Sequence, residues 1–164
     1  NNIMWKVKKS KVHGSGVFAT KNIKRNTKII EYIGEKVRKS EGDKRSAKRI
    51  KDYLHSEETG SVYIFELNSK YDIDGSPEYN KARYINHSCN PNCEVDIVEN
   101  RIWISSIKAI KKGEELSYDY GYEFDKNDYK DHICKCGYKK CIGYIISSDD
   151  WKKFSKYISK ITKK

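Results

Sequence analysis

The sequence predicts a mainly β protein of the α+β class, in which small β-sheets are joined by one short central helix and one C-terminal helix. Three observations predict it: short apolar stretches divided by glycine, a proline-free basic stretch near the middle, and a last stretch with apolar residues at helical spacing. With 164 residues, 37% hydrophobic and 35% charged, the chain can form one compact domain with a modest core. This composition excludes disorder as the default state.

Strand-like stretches occur first near the N-terminus and again in the centre. They are short, rich in valine, isoleucine and aromatic residues, and bounded by glycine or polar turns. The region 6–35 contains two of them, and a strand, a turn and a further strand are expected later, as is one more isolated strand. In order, the stretches are 17–19, 29–33, 62–73 and 100–110.

Two stretches have the pattern of helices. Residues 41–56 place Ile50, Tyr53 and Leu54 on one face, which predicts a short basic helix. Near the end, apolar residues recur between lysines and predict an amphipathic helix; they are Trp151, Phe154, Tyr157, Ile158 and Ile161. Residues 119–131 are polar, aromatic and acidic, and we expect a surface loop there.

The net charge of +11 ordinarily indicates a polyanionic partner. Lysine outnumbers arginine 28 to 6, however, a skew that an AT-rich genome produces without selection for a ligand. The last fourteen residues carry six of these lysines and no acid, so without them the charge is +5. Nucleic acid is therefore only a weakly supported partner.

The sequence has no apolar run near the ~18 residues of a membrane span and no apolar signal-peptide region in its first residues. We expect an intracellular protein that does not contact a membrane.

The five cysteines form two clusters, which favours metal ligation over disulfides because a disulfide framework leaves one thiol unpaired. Cys134, Cys136 and Cys141 form a C-x-C-x4-C run that supplies three ligands for a tetrahedral Zn²⁺. The residue types leave the fourth ligand open among Cys89, Cys93 and His132. Free buried thiols are the alternative interpretation.

Three further segments complete the pattern: H-G-S-G-V-F-A at 13–19, A-R-Y-I-N-H-S-C-N-P-N-C at 82–93 and G-E-E-L-S-Y-D-Y-G at 113–121. In this order, and followed by the cysteine run, they resemble the SET-domain family of protein-lysine methyltransferases with a post-SET zinc motif. The resemblance covers roughly residues 5–146. The second and third segments are highly specific, whereas G-x-G alone indicates only a turn.

The resemblance implies a SET-domain fold over 5–121, a post-SET zinc segment over 122–146 and a basic C-terminal helix over 147–164. The N-H-S-C segment is expected to thread beneath the strand that carries Tyr-Asp-Tyr, forming a pseudoknot. For the basic helix residues 44–51 we expect a solvated face; the same residues match the family's variable insertion, which shapes the substrate groove. The D-I-D-G-S text at 72–76 departs from the family's apolar-Asp-Ala-Thr.

The resemblance also implies the ligands of the site. Cys89 becomes the fourth zinc ligand, beside Cys134, Cys136 and Cys141, and Cys93 is left over. The residues expected to bind S-adenosylmethionine are His13, Gly14, Ser15, Gly16, Tyr63, Asn86, His87 and Lys135. His87 has an equally supported structural interpretation, and the ring of His13 is expected at the surface.

The expected catalytic residues are Tyr32, Tyr118 and Tyr120, which match the family's aromatic lysine channel. A lysine amine has a pKa of about 10.4, so roughly one in 2,500 is neutral at pH 7. A narrow aromatic channel desolvates the ammonium, and a sulfonium nearby adds a like charge; both favour the neutral nucleophile. Catalysis then consists of alignment and exclusion of water. We expect mono- to di-methylation. For Tyr53, Tyr129 and Tyr157 we expect packing instead.

The expected substrate is a lysine-containing basic protein, because five acids in 119–131 outnumber two lysines there. A solvated loop is the alternative. The family default is a histone tail, in the nucleus on chromatin; a bacterial source implies the cytoplasm and another basic protein. We expect a monomer. Two rival functions remain: a zinc-stabilised nucleic-acid module, and a methyltransferase acting on another residue or on a small molecule.

Overall fold

The computed structural model of the protein describes residues 3–54 and 63–162. Its contacts group the chain into two units, each assembled from separated segments. The first consists of Asn1–Asn26, Ile85–Glu94 and Ser106–Lys164; the second consists of Thr27–Tyr84 and Val95–Ser105.

The first unit contains two small sheets. Strand β1 (Trp5–Lys9) pairs antiparallel with β2 (Ser15–Ala19), whose Val17 and Ala19 are buried in the core. Strand β7 (Asn86–His87) pairs parallel with β10 (Ser117–Tyr118). Parallel strands this short need support from outside the ladder.

That support comes from the side chain of Asn92. It accepts a hydrogen bond from the Ser117 backbone N–H at 2.9 Å and donates one to the Glu115 carbonyl at 2.8 Å. The Ser88 backbone N–H also donates to the Tyr118 carbonyl at 3.2 Å. Residues 86–92 are thus bound along 115–118, so the predicted contact of the N-H-S-C segment with the Tyr-Asp-Tyr strand is confirmed.

The predicted C-terminal helix is confirmed as α2 (Trp151–Ile161), preceded by a 3₁₀ turn at Ser148–Asp150. Its apolar face packs on an aromatic cluster that includes Phe124 and Tyr129, both buried. Residues 119–131 are mostly irregular, as expected of a loop, but these two aromatic side chains anchor it to α2. Tyr157 joins the same cluster, so packing is confirmed for Tyr129 and Tyr157; the side chain of Tyr53 lies outside the described residues.

The second unit contains two three-stranded sheets. In one, β9 (Arg101–Ser106) lies between β3 (Lys28–Tyr32) and β8 (Cys93–Val98), whose first two residues belong to the first unit. In the other, β6 (Tyr71–Asp74) lies between β4 (Glu35–Arg38) and β5 (Ile64–Glu66).

The sequence-based boundaries need two corrections in this unit. Strand β9 ends at Ser106, four residues before the predicted end. Strand β8 was not predicted, because its turn consists of Glu99 and Asn100, which adopt positive φ angles of 52° and 57° without the usual glycine. The other predicted strands are present.

Helix α1 (Lys39–Leu54) begins two residues before the predicted start, and the predicted end at 56 lies outside the described residues. It approaches β6 closely at Gly42, where a Cβ would lie 2.3 Å from a carboxylate oxygen of Asp72. Within the described ranges, neither helix is long and apolar enough to cross a membrane.

The carboxylate of Asp74 fixes α1 to β6. It is 2% exposed and accepts two parallel hydrogen bonds from Arg49, each 2.9 Å, and a third from Arg45 at 2.8 Å. Burial opposes ionisation, but the hydrogen bonds from Arg49 and Arg45 outweigh it and hold the pKa of Asp74 well below its usual range.

We predict that Asp74→Asn lowers the free energy of unfolding by about 2 kcal/mol at pH 7, because it removes charge-assisted hydrogen bonds. The wild-type carboxylate contributes fully above its ordinary pKa of 3.8 and loses its contribution as pH falls through the lowered folded-state value. The difference from wild type, measured by urea unfolding, should stay constant from pH 7 to about 4 and shrink at lower pH. A difference that grows as the pH falls would contradict this account.

Candidate functional site

The side-chain amide of Asn86 connects three parts of the first unit. Its Nδ2 group donates to the carbonyls of His13, at 3.3 Å, and Ser15, at 3.1 Å, and to Glu115 Oε1, at 2.8 Å. Asn86 is 8% exposed, so these acceptors fix the orientation of its amide. The predicted turn at 13–16 and the predicted Asn86 are therefore brought together.

Glu115 completes this arrangement, and sequence reasoning did not single it out. Its carboxylate also accepts from Ser10 Oγ, at 2.8 and 2.9 Å. A Cβ at Gly16 would lie 2.2 Å from Glu115 Oε1, so glycine is needed there for the carboxylate to reach Asn86. The sequence signal that could have identified Glu115 is its position: an acidic residue directly before the apolar Leu116, within the motif at 113–121.

His87, the neighbour of Asn86, is 4% exposed and its ring contacts two elements. Its Nδ1 accepts the backbone N–H of Tyr120 at 3.2 Å, and its Nε2 lies 3.7 Å from Cys89 Sγ. Burial lowers the pKa of His87, and the carboxylate of Asp119 opposes this only in part. The 3.8 Å separation of Nδ1 from Asp119 is too long for a hydrogen bond, so Nδ1 serves as the acceptor of the Tyr120 N–H.

Tyr118 and Tyr120, two of the predicted catalytic residues, lie together in the first unit with ring centroids 5.1 Å apart. Tyr118 is buried, whereas Tyr120 is half-buried. The hydroxyl of Tyr120 donates to the Ile85 carbonyl at 2.9 Å, and its ring meets the His87 ring edge-on at 5.4 Å. The phenol oxygen is thereby bonded to the residue that precedes Asn86.

Tyr32 and Tyr63 belong to the second unit. The buried Tyr32 donates its hydroxyl to the Tyr63 carbonyl at 3.1 Å. Tyr63 adopts a φ of 59°, which is strained for a non-glycine residue, and the Arg83 guanidinium lies 4.2 Å above its ring. A Cβ at Gly75 would lie 2.1 Å from the Tyr32 ring. Glycine at position 75 therefore leaves room for the ring of Tyr32.

Four cysteine sulfurs converge in the first unit: those of Cys89, Cys134, Cys136 and Cys141, all within 4.8 Å of one another. A tetrahedral zinc with bonds of about 2.3 Å places its sulfurs about 3.8 Å apart. The observed separations of Cys89 from Cys134 and Cys141 are 3.8 and 3.7 Å. The four thiols therefore fit a structural zinc ion.

Backbone donors surround this cluster and favour thiolates. Burial opposes ionisation of Cys136, but the N–H groups of Cys89 and Tyr138 outweigh it and lower the pKa of its thiol to about 7. Burial raises the pKa of the Cys89 thiol to about 12, against the backbone N–H of Ile142, which lowers it. The Gly143 N–H also donates to Cys141 Sγ at 3.3 Å.

The two other candidates for the fourth ligand lie outside the cluster. Cys93 is 1% exposed and its thiol donates to Asn92 Oδ1 at 3.4 Å. The His132 ring packs edge-on against Tyr122, with centroids 5.3 Å apart. The choice of Cys89 made from the family resemblance agrees with this geometry.

The remaining predicted residues are exposed. His13, Gly14 and Ser15 line the surface of their turn, so the expectation for the His13 ring is confirmed, and Lys135 is exposed between two cysteines of the cluster. Among the acids of 119–131, Asp119 binds backbone N–H groups of Gly121 and Ser148. The other four acids are exposed: Glu123, Asp125, Asp128 and Asp131.

The sequence is similar to those of known proteins over most of its length. The sequence profile of the SET domain matches residues 14–121. The chain is 36% identical over 137 residues to human histone-lysine N-methyltransferase 2D. The aligned residues cover 81% of this chain and 2% of that protein. It is 39% identical over 142 residues to the histone-lysine N-methyltransferase, H3 lysine-4 specific, of Aspergillus oryzae, covering 84% of this chain and 11% of the relative.

A third relative, histone-lysine N-methyltransferase set-2 of Caenorhabditis elegans, is 40% identical over 148 residues, which cover 87% of this chain and 9% of the relative. The chain thus spans roughly a tenth or less of the length of these relatives.

We predict that Cys89→Ser loses bound zinc, because only Cys89 joins the threaded segment to the cysteines of 134–141. Metal content per chain after gel filtration measures this, with Cys93→Ser as the matched control that keeps its zinc. Zinc loss from Cys93→Ser together with retention by Cys89→Ser would show that the fourth ligand is misassigned.

Proposed function

Because the chain belongs to the SET-domain family, we propose that it is a protein-lysine N-methyltransferase that uses S-adenosylmethionine. The observation that carries this proposal is the group of Asn86, His87 and Tyr120. In it, the hydroxyl of Tyr120 is bonded to the carbonyl of Ile85, the residue before Asn86, and the Asn86 amide binds the turn at 13–16 to form a polar cradle. The His87 ring accepts the backbone N–H of Tyr120. Methyl transfer requires an aligned amine, and an acceptor oxygen near a ligand-binding turn provides that alignment.

The cradle has an acceptor available for a ligand. The three bonds of Asn86 all use Nδ2, and no donor among the described residues reaches its Oδ1. An amide oxygen with no donor is suited to a ligand ammonium, which the amino-acid part of S-adenosylmethionine carries. We assign cofactor binding to the eight predicted residues: His13, Gly14, Ser15, Gly16, Tyr63, Asn86, His87 and Lys135. When bound, S-adenosylmethionine supplies the methyl group.

The tyrosines of the first unit supply the alignment. The Tyr120 hydroxyl donates its hydrogen bond to the Ile85 carbonyl. Its oxygen would therefore accept a hydrogen bond from the substrate amine. That polarity orients the amine hydrogens and leaves its lone pair directed to the methyl carbon. Tyr118 is buried beside it and restricts both water and the volume open to the amine. Tyr32 remains a proposed channel residue.

The zinc centre is proposed to be structural. It would fasten residues 134–141, which include the proposed cofactor residue Lys135, to Cys89, three residues after Asn86. All four protein ligands are thiols, which leaves no open position for catalysis at the metal.

The proposed substrate is a basic protein segment. Four exposed acids in 119–131 give this part of a basic protein a local negative charge, which favours a lysine-rich peptide. The three relatives are named histone-lysine N-methyltransferases, and one is named as specific for H3 lysine-4. We therefore propose a histone tail as substrate and, in a eukaryote, action in the nucleus.

The experiment that tests the function is methyl transfer to an array of lysine-containing histone-tail peptides, with products read by mass spectrometry. Addition of 14 Da per methyl to lysine supports the proposal, and modification of another residue type alone contradicts it.

We predict that Tyr120→Phe lowers kcat about 100-fold or more, because the lost oxygen acts mainly in the transition state. Affinity for S-adenosylmethionine, measured by calorimetry, should stay within about threefold. Tyr122→Phe is the matched control, since its ring lies 5.8 Å from that of Tyr120, and it should retain turnover. Near-normal turnover of Tyr120→Phe would remove this residue from the catalytic role.

We predict that the unmodified protein makes mainly mono-methyl-lysine with some di-methyl-lysine. After one transfer the amine must rotate to direct its lone pair again, and the Tyr118 hydroxyl occupies the volume that the added methyl needs. Tyr118→Phe should therefore shift products toward di- and tri-methyl-lysine. Intact-peptide mass spectrometry over a long time course with excess cofactor measures this; abundant tri-methyl-lysine from the unmodified protein would contradict it.

A further inference from the structure

We propose that the imidazole of His87 is a positioning residue that joins the zinc centre to the strand end carrying Tyr120. Its Nε2–H donates to the Cys89 thiolate, and its Nδ1 accepts the Tyr120 backbone N–H. The inference rests on the proposed zinc centre and is independent of which substrate is methylated.

The tautomer follows from the two contacts. A backbone N–H can only donate, so the 3.2 Å contact from Tyr120 N requires a lone pair on Nδ1. A neutral imidazole with a lone pair on Nδ1 carries its hydrogen on Nε2. That nitrogen lies 3.7 Å from Cys89 Sγ, within the range of a hydrogen bond to sulfur. The ring therefore presents one acceptor and one donor to two different elements.

A hydrogen bond from the His87 Nε2–H would stabilise the charge of the zinc centre. Four thiolates around Zn²⁺ carry a net charge of −2. The Cys89 side chain and the His87 ring are both largely shielded from water, since Cys89 is 9% and His87 4% exposed. Without water, N–H groups must stabilise the charge. The Gly143 N–H donates to Cys141, the backbone N–H groups of Cys89 and Tyr138 donate to Cys136, and the backbone N–H of Ile142 donates to Cys89. Among the side chains of the described residues, the His87 ring is the donor within reach of Cys89.

The consequence concerns Tyr120. Its backbone is bound to Nδ1, and its ring contacts the His87 ring at 5.4 Å. The position of the imidazole is in turn fixed by Cys89, two residues along the chain. Binding of the metal therefore affects the position of the proposed catalytic Tyr120 through the His87 ring alone, without a long segment of backbone between them.

Two substitutions separate the two ring nitrogens. His87→Asn retains an acceptor oxygen at the position of Nδ1 but has no group at Nε2. His87→Gln retains an N–H donor at the position of Nε2 but has none at Nδ1. Cys93→Ser, at a buried residue in the same segment, is the control for a general loss of packing.

Zinc affinity of the full chain is measured by competition with a chromophoric chelator, without substrate or S-adenosylmethionine. Outer-shell donors typically affect metal affinity 10- to 100-fold. His87→Asn should weaken zinc binding by about this factor, whereas His87→Gln and Cys93→Ser should stay within about threefold of the unmodified protein. In the cobalt-substituted protein, His87→Asn should shift the thiolate-to-cobalt charge-transfer band to lower energy, because an unbonded thiolate is easier to oxidise.

Equal zinc affinity and equal band positions in all variants would overturn the proposal. Equal losses in His87→Asn and His87→Gln would also overturn it, because a loss that does not depend on the Nε2 donor reflects packing alone. Since the readout uses only the metal, its failure is distinct from failure of the proposed methyl transfer.

Discussion

The two amide hydrogens of Asn86 are shared among three acceptors that lie far apart in the sequence: two backbone carbonyls of the turn at 13–16 and the carboxylate of Glu115. Loss of this single donor group would therefore remove three hydrogen bonds that join these segments at once. The parallel pair of β7 and β10, the orientation of His87 and the position of Cys89 all depend on the path of residues 86–89. The positions of the other residues of the candidate site therefore depend on the side-chain amide of Asn86.

The sequence was informative where chemistry restricts residue types. The cysteine spacing predicted a cluster of metal-ligating thiols, and the motifs at 82–93 and 113–121 predicted two segments in contact. The structure brings the four cysteines together and pairs the two segments. The α2 helix was predicted because its apolar face repeats at helical spacing. Four residues of that face pack in the aromatic cluster, whereas Ile161 is exposed. The division into three sequence segments and the roles of the individual site residues stay predictions.

What the sequence missed depends on partners brought together by tertiary structure. Nothing local marks Glu115 as the acceptor of Asn86, or Asp74 as the acceptor of Arg45 and Arg49. The turn before β9 was missed because Glu99 and Asn100 adopt positive φ angles without glycine. The need for glycine at position 75 is explained only by the ring of Tyr32, which packs against it in the folded protein. In each case the determining neighbour is distant in sequence, which patterns of period two or 3.6 do not detect.

The long sequence separations within the site also determine when it forms during folding. The hydrogen bonds of Asn86 to the turn at 13–16 join residues 71 and 73 positions apart, and Ser10 binds Glu115 across 105 positions. Closing loops of this length costs chain entropy before any contact is gained, so such pairs form late and folding is slow. Contacts absent from the transition state mainly control how fast the native state opens. We expect substitutions at Asn86 or Glu115 to shorten the lifetime of the folded protein while leaving its folding rate almost unchanged.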